Sequence, residues 1–245
     1  MKKVLLAIVL TNIFNFLFAQ GKFDINMDLE TMHYWRGYRV YSGMGTGTTL
    51  GYYIDGFAIK VWGGLSIDGK YQEVTPIISF AKNGFSITFS DIDNFSNATG
   101  KAAEYGNYDR KTTNHIMDLA VGYDFSNVGL PLNITWATIV HGGRDFNPDA
   151  DLTQRYSTYV EISSTFKTEN KVDVMPFVGV AFALNEKDNN VGNFYTPKDG
   201  ISLVNVGVQM SKVFTLQGIN FPITTKFAVN PANKQATVYA SWAIF

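Results

Sequence analysis

The chain contains no cysteine and few histidines, and it has no long apolar run beyond its N-terminus. Without cysteine, neither a disulfide framework nor a thiolate metal site can form, and a lipoprotein anchor has no attachment point. The longest later apolar stretch, residues 174–184, is too short for a spanning helix, which needs ~20 residues. The sequence therefore excludes a disulfide-stapled domain and a helical membrane protein.

An excess of positive charge is also absent. The chain carries 20 Lys and Arg residues against 21 Asp and Glu residues. Removing Lys2 and Lys3 with a leader makes the balance more acidic still. Proteins that bind nucleic acid neutralise phosphates with clustered basic residues. The charge balance therefore argues against a nucleic-acid partner.

Residues 1–19 have the pattern of a secretory signal peptide. Lys2 and Lys3 form a charged start, an apolar stretch follows, and the small Ala19 ends it. We predict cleavage after Ala19, so that residues 20–245 form the exported domain. The alternative is an N-terminal membrane anchor, for which the apolar stretch is short.

The exported part of the chain alternates between apolar and polar residues. Segments of about ten residues place apolar side chains at one parity and small, polar or charged ones at the other, as in Phe57, Ile59 and Val61 against Lys60. A soluble lipocalin-like barrel also alternates, but its interior is packed. Because the inner parity here is mostly Ser, Thr, Asn, Gly and charge, the pattern favours a barrel with lipid outside and water inside.

Turn signals divide this region into twelve predicted strands. Asp55-Gly56 and Asn83-Gly84 are two-residue hairpin signals. The longer polar connections are residues 91–113, 142–155 and 185–199. The predicted strands cover residues 23–40, 45–54, 57–66, 71–82, 85–92, 113–125, 132–142, 155–167, 171–184, 201–214, 219–230 and 235–245.

This division predicts an all-β fold, a single closed antiparallel transmembrane β-barrel of twelve strands. Ten strands would result if the first two or the last two were misread. The last strand ends on the aromatic Phe245, which suits a strand that closes a barrel, since lipid offers no partner to an unpaired edge. Short turns on one side and long loops on the other are the arrangement of outer-membrane barrels, with the short turns in the periplasm.

Charged residues on the inner parity are the candidates for function. A Lys or Arg that faces lipid near the midplane costs ~2–4 kcal/mol, so we expect such residues to face the lumen. The predicted pore-lining charges are Arg36, Lys60, Glu73, Asp118, Glu161 and Lys226. They either line a water-filled pore or pair across the interior and fill it. Because both signs are present, we expect no strong ion selectivity.

Residues for catalysis or metal binding are sparse. His141, close to Asp145, stands where a general base of a barrel hydrolase could lie, but no local motif supports that role. Residues 145–151 carry an oxygen donor at every second position, as calcium loops do, yet lack the expected glycine and final acidic residue. A histidine without a catalytic task and a solvated acidic loop are the simpler interpretations. We predict no catalytic residue, no metal site and no cofactor.

Residues 33–38, with the sequence HYWRGY, place an aromatic-Arg-Gly step late in the first predicted strand. This step resembles the opening of the TorF-like family of small outer-membrane porins, which carry a Ser-x-Tyr-x-x-Arg-Gly type segment early in the mature chain. His33 stands here in place of the serine. Residues 51–53 and 57–64 add to the similarity, which covers about the first 90 mature residues. The resemblance implies a channel role.

Taken together, these observations predict a porin-like channel for small polar solutes or ions, embedded in the lipid of a bacterial outer membrane. Two alternatives stay open. One is an outer-membrane barrel enzyme that acts on lipid, a hydrolase or an acyltransferase. The other is a non-conducting structural barrel. An enzyme would hold Ser, His and a carboxylate within hydrogen-bond reach of one another, whereas a channel would have a continuous polar lumen.

Overall fold

The computed structural model describes residues 21–96, 105–148, 151–186 and 192–244. The predicted signal peptide and Phe245 lie outside these residues. Within them, no helix has the length and apolar character needed to cross a membrane. The strands are β1 Lys22–Glu30, β2 His33–Trp35, β3 Tyr38–Tyr41, β4 Gly45–Ile54, β5 Phe57–Ser66, β6 Gln72–Lys82, β7 Phe85–Asn94, β8 His115–Asp124, β9 Asn133–Gly142, β10 Ser157–Ser163, β11 Phe166–Lys167, β12 Asp173–Ala183, β13 Ser202–Leu216, β14 Ile219–Asn230 and β15 Gln235–Ala243.

Antiparallel pairing closes these strands into one barrel. Neighbouring strands pair in chain order from β4 to β10 and from β12 to β15. β1 joins the two ends, because it pairs with both β4 and β15. β10 pairs with both β9 and β12, and β11 continues it along β12 after a short break. With β10 and β11 counted as one interrupted strand, the wall has twelve strands, which confirms the predicted all-β, twelve-stranded barrel.

The two faces of the wall differ as the alternation predicts. In β5, Ile59 is 63% exposed while its neighbour Ala58 is only 6% exposed. In β15, Val238 is exposed and Thr237 is buried. Successive side chains of a strand point to opposite faces. The apolar parity therefore covers the outside of the barrel and the polar parity lines the lumen.

Two-residue turns gather at one end of the barrel, which we call the turn end. Asp55-Gly56, Asn83-Gly84 and Gln217-Gly218 all have positive φ at both residues, as type I′ hairpins require. The longer connections, which follow β1, β5, β7, β9, β12 and β14, lie at the opposite end, which we call the loop end. The alternation of tight turns and long loops is therefore confirmed.

The first predicted strand, residues 23–40, is wrong in its second half. The wall strand β1 ends at Glu30 at the loop end, and the chain then folds into a separate two-stranded sheet of β2 and β3. We call residues 31–44 the inner hairpin. Its side chains contact lumenal residues of β5, β8 and β13, so it lies inside the barrel rather than above it.

Candidate functional site in the lumen

The inner hairpin is built around a two-residue turn that the sequence conceals. Trp35 pairs with Tyr38, and the residues between them, Arg36 and Gly37, have φ values of 47° and 82°. This is the same turn geometry as at the turn end, but with arginine where Asn or Asp is usual. A Cβ on Gly37 would lie 2.3 Å from the Val204 carbonyl oxygen. Gly37 is therefore required both by its conformation and by its close approach to the wall.

Arg36 at the tip of the inner hairpin binds the wall through a bidentate ion pair. Its two terminal nitrogens lie 2.6 and 2.7 Å from the carboxylate oxygens of Asp118 on β8. The Tyr195 hydroxyl lies 3.3 Å from the same guanidinium, and the Trp35 ring stacks 4.6 Å from it. Both charged side chains are largely buried. Parallel paired hydrogen bonds fix orientation as well as position, so this contact sets where the tip sits.

A second set of contacts holds the hairpin to β10, β13 and β14. The Tyr34 hydroxyl donates to Asn205 Oδ1 at 2.8 Å, and Asn205 Nδ2 donates to the Tyr159 hydroxyl at 2.7 Å and to Glu161 at 3.2 Å. Tyr159 in turn donates to Glu161. Burial, followed by the nearby Glu161, raises the pKa of Tyr34 to about 12, so its hydroxyl remains a donor at neutral pH.

Lys226 on β14 completes this network. Its Nζ lies 5.7 Å from the Tyr34 ring centre and 5.3 Å from that of Phe177. Asn230, four residues further along β14, donates to the Gly37 carbonyl oxygen at 3.1 Å. The hairpin is therefore attached to the wall by ionic, hydrogen-bonded and aromatic contacts along its whole length.

The connection between β12 and β13 also folds inward against the hairpin. Tyr195 is 1% exposed and packs with Tyr159, Ala181 and Val204 in the apolar core of the described residues. Trp35 lies against the same cluster. Burial raises the pKa of Tyr195 to about 12, although the adjacent Arg36 acts in the opposite direction. This side of the lumen is thus filled by protein.

The other side of the lumen is open and contains a cavity of about 670 Å³ between the inner hairpin and the wall from β5 to β8. Stacked aromatic rings form one wall of it. His33 lies between Trp62 and Tyr71, with ring centres 5.1 and 5.2 Å away, and Tyr41 stacks on Tyr71 at 5.8 Å. Inward-facing residues of β6 and β7 form a largely polar opposite wall.

The predicted pore-lining charges fall into two groups. Arg36 and Asp118 pair directly, and Glu161 and Lys226 join the network that holds Tyr34. Lys60 and Glu73 lie on the open side. In the described part of the chain, Lys60 has no hydrogen bond or ion pair. The hydrogen-bond partners of Glu73 there are neutral: Thr75 at 3.2 Å, Asn94 at 3.3 Å and the Tyr71 hydroxyl.

The three histidines contact carboxylates or a backbone carbonyl oxygen. His115 Nδ1 lies 2.7 Å from Asp91 and stacks on Tyr108, and His33 Nδ1 lies 3.3 Å from Glu30. His141 Nε2 lies 3.1 Å from the Tyr108 carbonyl oxygen. No hydrogen bond joins a histidine ring to a serine hydroxyl among the residues that the structure describes.

Asp145 and Asn147, the first two oxygen donors of the suggested calcium loop, are bound by other residues of the protein. Asp145 is fully buried, accepts hydrogen bonds from Ser157, and lies 3.5 Å from the Arg155 side chain. Asn147 donates to the Asn185 carbonyl oxygen at 2.9 Å. Burial raises the pKa of Asp145, with hydrogen bonds from Ser157 acting against that shift. Asp149, another of the expected oxygen donors, lies outside the described residues.

Several residues of this site were not singled out from the sequence. Tyr34 lay inside the predicted first strand, Asn205 and Tyr159 were ordinary inward residues, and Tyr195 lay in a predicted loop. Their shared signal is the Arg36-Gly37 pair, since an X-Gly step between aromatic residues fits a tight hairpin turn. Recognising that turn would have separated the inner hairpin from β1.

Comparison of the sequence with protein-family models and with characterised proteins found no match. The class of this protein therefore follows from its fold alone, a closed twelve-stranded antiparallel β-barrel with an apolar outer face. Such a fold is typical of bacterial outer-membrane proteins.

Proposed function

We propose that the protein is an outer-membrane barrel through which small polar solutes or ions pass, with the inner hairpin as its constriction. The observation that carries this proposal is the uneven filling of the lumen. The hairpin is fastened to β8, β10, β13 and β14, and the opposite side keeps a cavity of about 670 Å³. A pore that is narrowed from one side retains a passage along the other.

The residues beside this passage suit polar solutes. Below the cavity, toward the turn end, the lumenal parity of β6 and β7 consists of small side chains such as Ser79, Ser86 and Thr88. Lys60 and Glu73 contribute one charge of each sign. Because fixed charges of both signs are present, the proposed channel should discriminate weakly between anions and cations. In this proposal the segment that resembles TorF-like porins is the one that sets the pore size.

The apolar outer face supports the proposed location. Large side chains such as Phe23, Leu50, Ile78 and Val178 are more than a third exposed. In water, a continuous apolar belt of this kind would be a liability for aggregation, whereas in a bilayer it contacts lipid. Residues 1–19 fit export, which an outer-membrane location requires.

The proposal is tested by single-channel conductance of the purified protein in planar bilayers. A variant in which residues 32–43 are replaced by a short Gly-Ser linker should still close the barrel, because β1 and β4 are paired neighbours. We expect a small conductance for the wild type and a several-fold larger one for the linker variant. Lys82→Gln, which alters an exposed ion pair with Asp55 at the turn end, is the control and should conduct like the wild type.

Two outcomes would contradict the proposal. If neither the wild type nor the linker variant conducts, although both are folded, the barrel is a non-conducting structural protein. If the linker variant conducts no better than the wild type, the hairpin is not the constriction. Folding of each variant is checked by its resistance to unfolding in SDS without heating.

A further inference from the structure

The cavity on the open side of the lumen contains a buried carboxylate without a basic partner. Glu73 is 7% exposed, and its hydrogen-bond partners within the described residues, Thr75, Asn94 and Tyr71, are all neutral. Removing a charge from water is costly unless an opposite charge or strong donors replace the solvent. The carboxylate therefore favours a cation supplied from outside the chain.

The Tyr71 hydroxyl lies beside Glu73. Tyr71 is 3% exposed, and burial, followed by the charge of Glu73 and a hydrogen bond with it, raises the pKa of Tyr71. The hydroxyl oxygen can still accept a hydrogen bond, so it offers a second acceptor next to the carboxylate. Both residues line the same cavity.

The surroundings of Glu73 suit an organic ammonium group better than a bare metal ion. The rings of Trp62, Tyr71 and His33 stack beside it, and the faces of aromatic rings attract organic cations. No group of three or more acidic or histidine side chains within the described residues is arranged to hold a metal ion. The cavity is also far larger than a single ion requires.

Arg144, which follows β9, provides the opposite charge at the same cavity. Its side chain is exposed and has no ion pair or hydrogen bond with the described residues, and its backbone has a φ of 54°. A non-glycine residue in the left-handed region is uncommon and often occurs at functional sites. Lys70 lines the cavity as well, but it already pairs with Asp68 at 3.2 Å.

The separation of these two charges limits the size of the ligand. Glu73 begins β6 and Arg144 follows β9, three strand positions around the wall. With strands ~4.8 Å apart, the two residues are ~14 Å apart along the wall, and both line the cavity. A dipeptide, whose two charged ends are separated by a residue and a peptide bond, fits within this distance and within a cavity of about 670 Å³.

We propose that this cavity binds short zwitterionic peptides, with the ammonium group at Glu73 and Tyr71 and the terminal carboxylate at Arg144. The inference deepens the proposed function, because it takes the cavity to be part of the solute path. Binding is nevertheless measurable in detergent without any conductance, so the two proposals can fail separately.

The experiment compares three matched probes by isothermal titration calorimetry. Alanyl-alanine carries both charges, its C-terminal amide carries only the ammonium, and N-acetyl-alanyl-alanine carries only the carboxylate. We expect the zwitterion to bind the wild type about tenfold or more tightly than either singly charged probe, the ratio expected for one charge-assisted hydrogen bond. Intrinsic fluorescence of Trp35 and Trp62, which line the cavity, should change with the same midpoint.

Two variants test which residue binds the ammonium end of the ligand and which binds its carboxylate end. Glu73→Gln should remove the preference for the zwitterion over the acetylated probe, and Arg144→Gln should remove its preference over the amide. Asp173→Asn, at the turn end and paired with Lys167, should leave all three affinities unchanged. Equal binding of the three probes, absence of binding to a folded wild type, or an unchanged preference in both variants would overturn the proposal.

Discussion

The two sides of the lumen are built from the same alternating strands, yet they are used differently. On the side of β8 to β15, the inner hairpin binds the inward residues Asp118 and Asn205, and Glu161 is joined to it through Asn205. On the side of β5 to β7, the inward charged residues Lys60 and Glu73 have no ionic partner within the described chain, and the cavity lies beside them. One side is therefore a packing surface and the other a solvent-facing one.

This difference shows that an inward charge has no fixed role in a barrel. The chain contains enough charges of both signs to neutralise one another, but the hairpin selects which of them become buried pairs. Arg36 pairs with Asp118, and Glu161 and Lys226 join the network around Tyr34, so that Lys60 and Glu73 are the predicted pore-lining charges without an ionic partner in the described chain. The contrast between the filled side and the open side can be tested with substitutions.

The largest expected effect comes from breaking the ion pair on the filled side. Asp118→Ala leaves the Arg36 guanidinium buried without its carboxylate, and loss of one partner of a buried pair costs about 3–5 kcal/mol. We expect a loss of this size in the free energy of unfolding in urea, together with protease cleavage within residues 31–44. Asp173→Ala, which breaks an exposed pair with Lys167, is the control and should cost less than about 1 kcal/mol. Equal costs for the two variants would show that the hairpin does not depend on this pair.

The next effect distinguishes the open lumen from the lipid face. Leu119 on β8 and Phe89 on β7 are paired across the outer face, whereas Thr88 faces the lumen. Leu119→Arg should cost ~2–4 kcal/mol of folding stability in lipid, since it places a charge among acyl chains. Thr88→Arg should cost well under half of that, because water on the open side of the lumen can solvate the guanidinium group. Stability is measured by urea unfolding in vesicles, and a similar cost at both positions would mean that the open side is not hydrated.

A smaller difference in stability is expected between alanine substitutions in the turn of the inner hairpin and in a turn at the turn end. Gly37 and Gly218 have nearly the same φ, 82° and 81°, but a Cβ meets the Val204 carbonyl only at Gly37. Gly218→Ala carries only the left-handed backbone cost of roughly 1–2 kcal/mol. Gly37→Ala should cost more, because the hairpin tip must also move away from β13. If urea unfolding gives the same loss for both, the close approach at Gly37 has no energetic consequence.

The smallest effect concerns ion preference, and it depends on the proposed channel being open. Glu73→Gln and Glu161→Gln each remove one lumenal negative charge. Because Glu161 is held in the network with Tyr159 and Asn205, Glu73→Gln should shift the reversal potential toward anions more than Glu161→Gln does. Both shifts should shrink at high salt, since ~0.1 M salt screens charges over ~10 Å. A larger shift from Glu161→Gln would reverse the assignment of the two sides.

Much of the wall could be predicted from local pattern. The period of two in β5 and the Asp55-Gly56 signal act over a few residues, so they fix strand bounds and turn types without reference to the rest of the chain. The predicted strands 45–54, 57–66 and 219–230 match β4, β5 and β14 residue for residue. Closure follows from the same pattern, because an apolar outer face leaves no place for an unpaired edge.

The lumen could not be predicted in the same way. Arg36 meets Asp118 across 82 residues of sequence, and Tyr34 meets Asn205 across 171. Nothing in the alternation distinguishes a strand that continues to residue 40 from one that ends at Glu30 and turns inward. The sequence by itself determined the wall, since strand pairing and lipid exposure are decided residue by residue. Only the tertiary structure decided which inward side chains are joined and which face the cavity, because that depends on where the inner hairpin docks across the barrel.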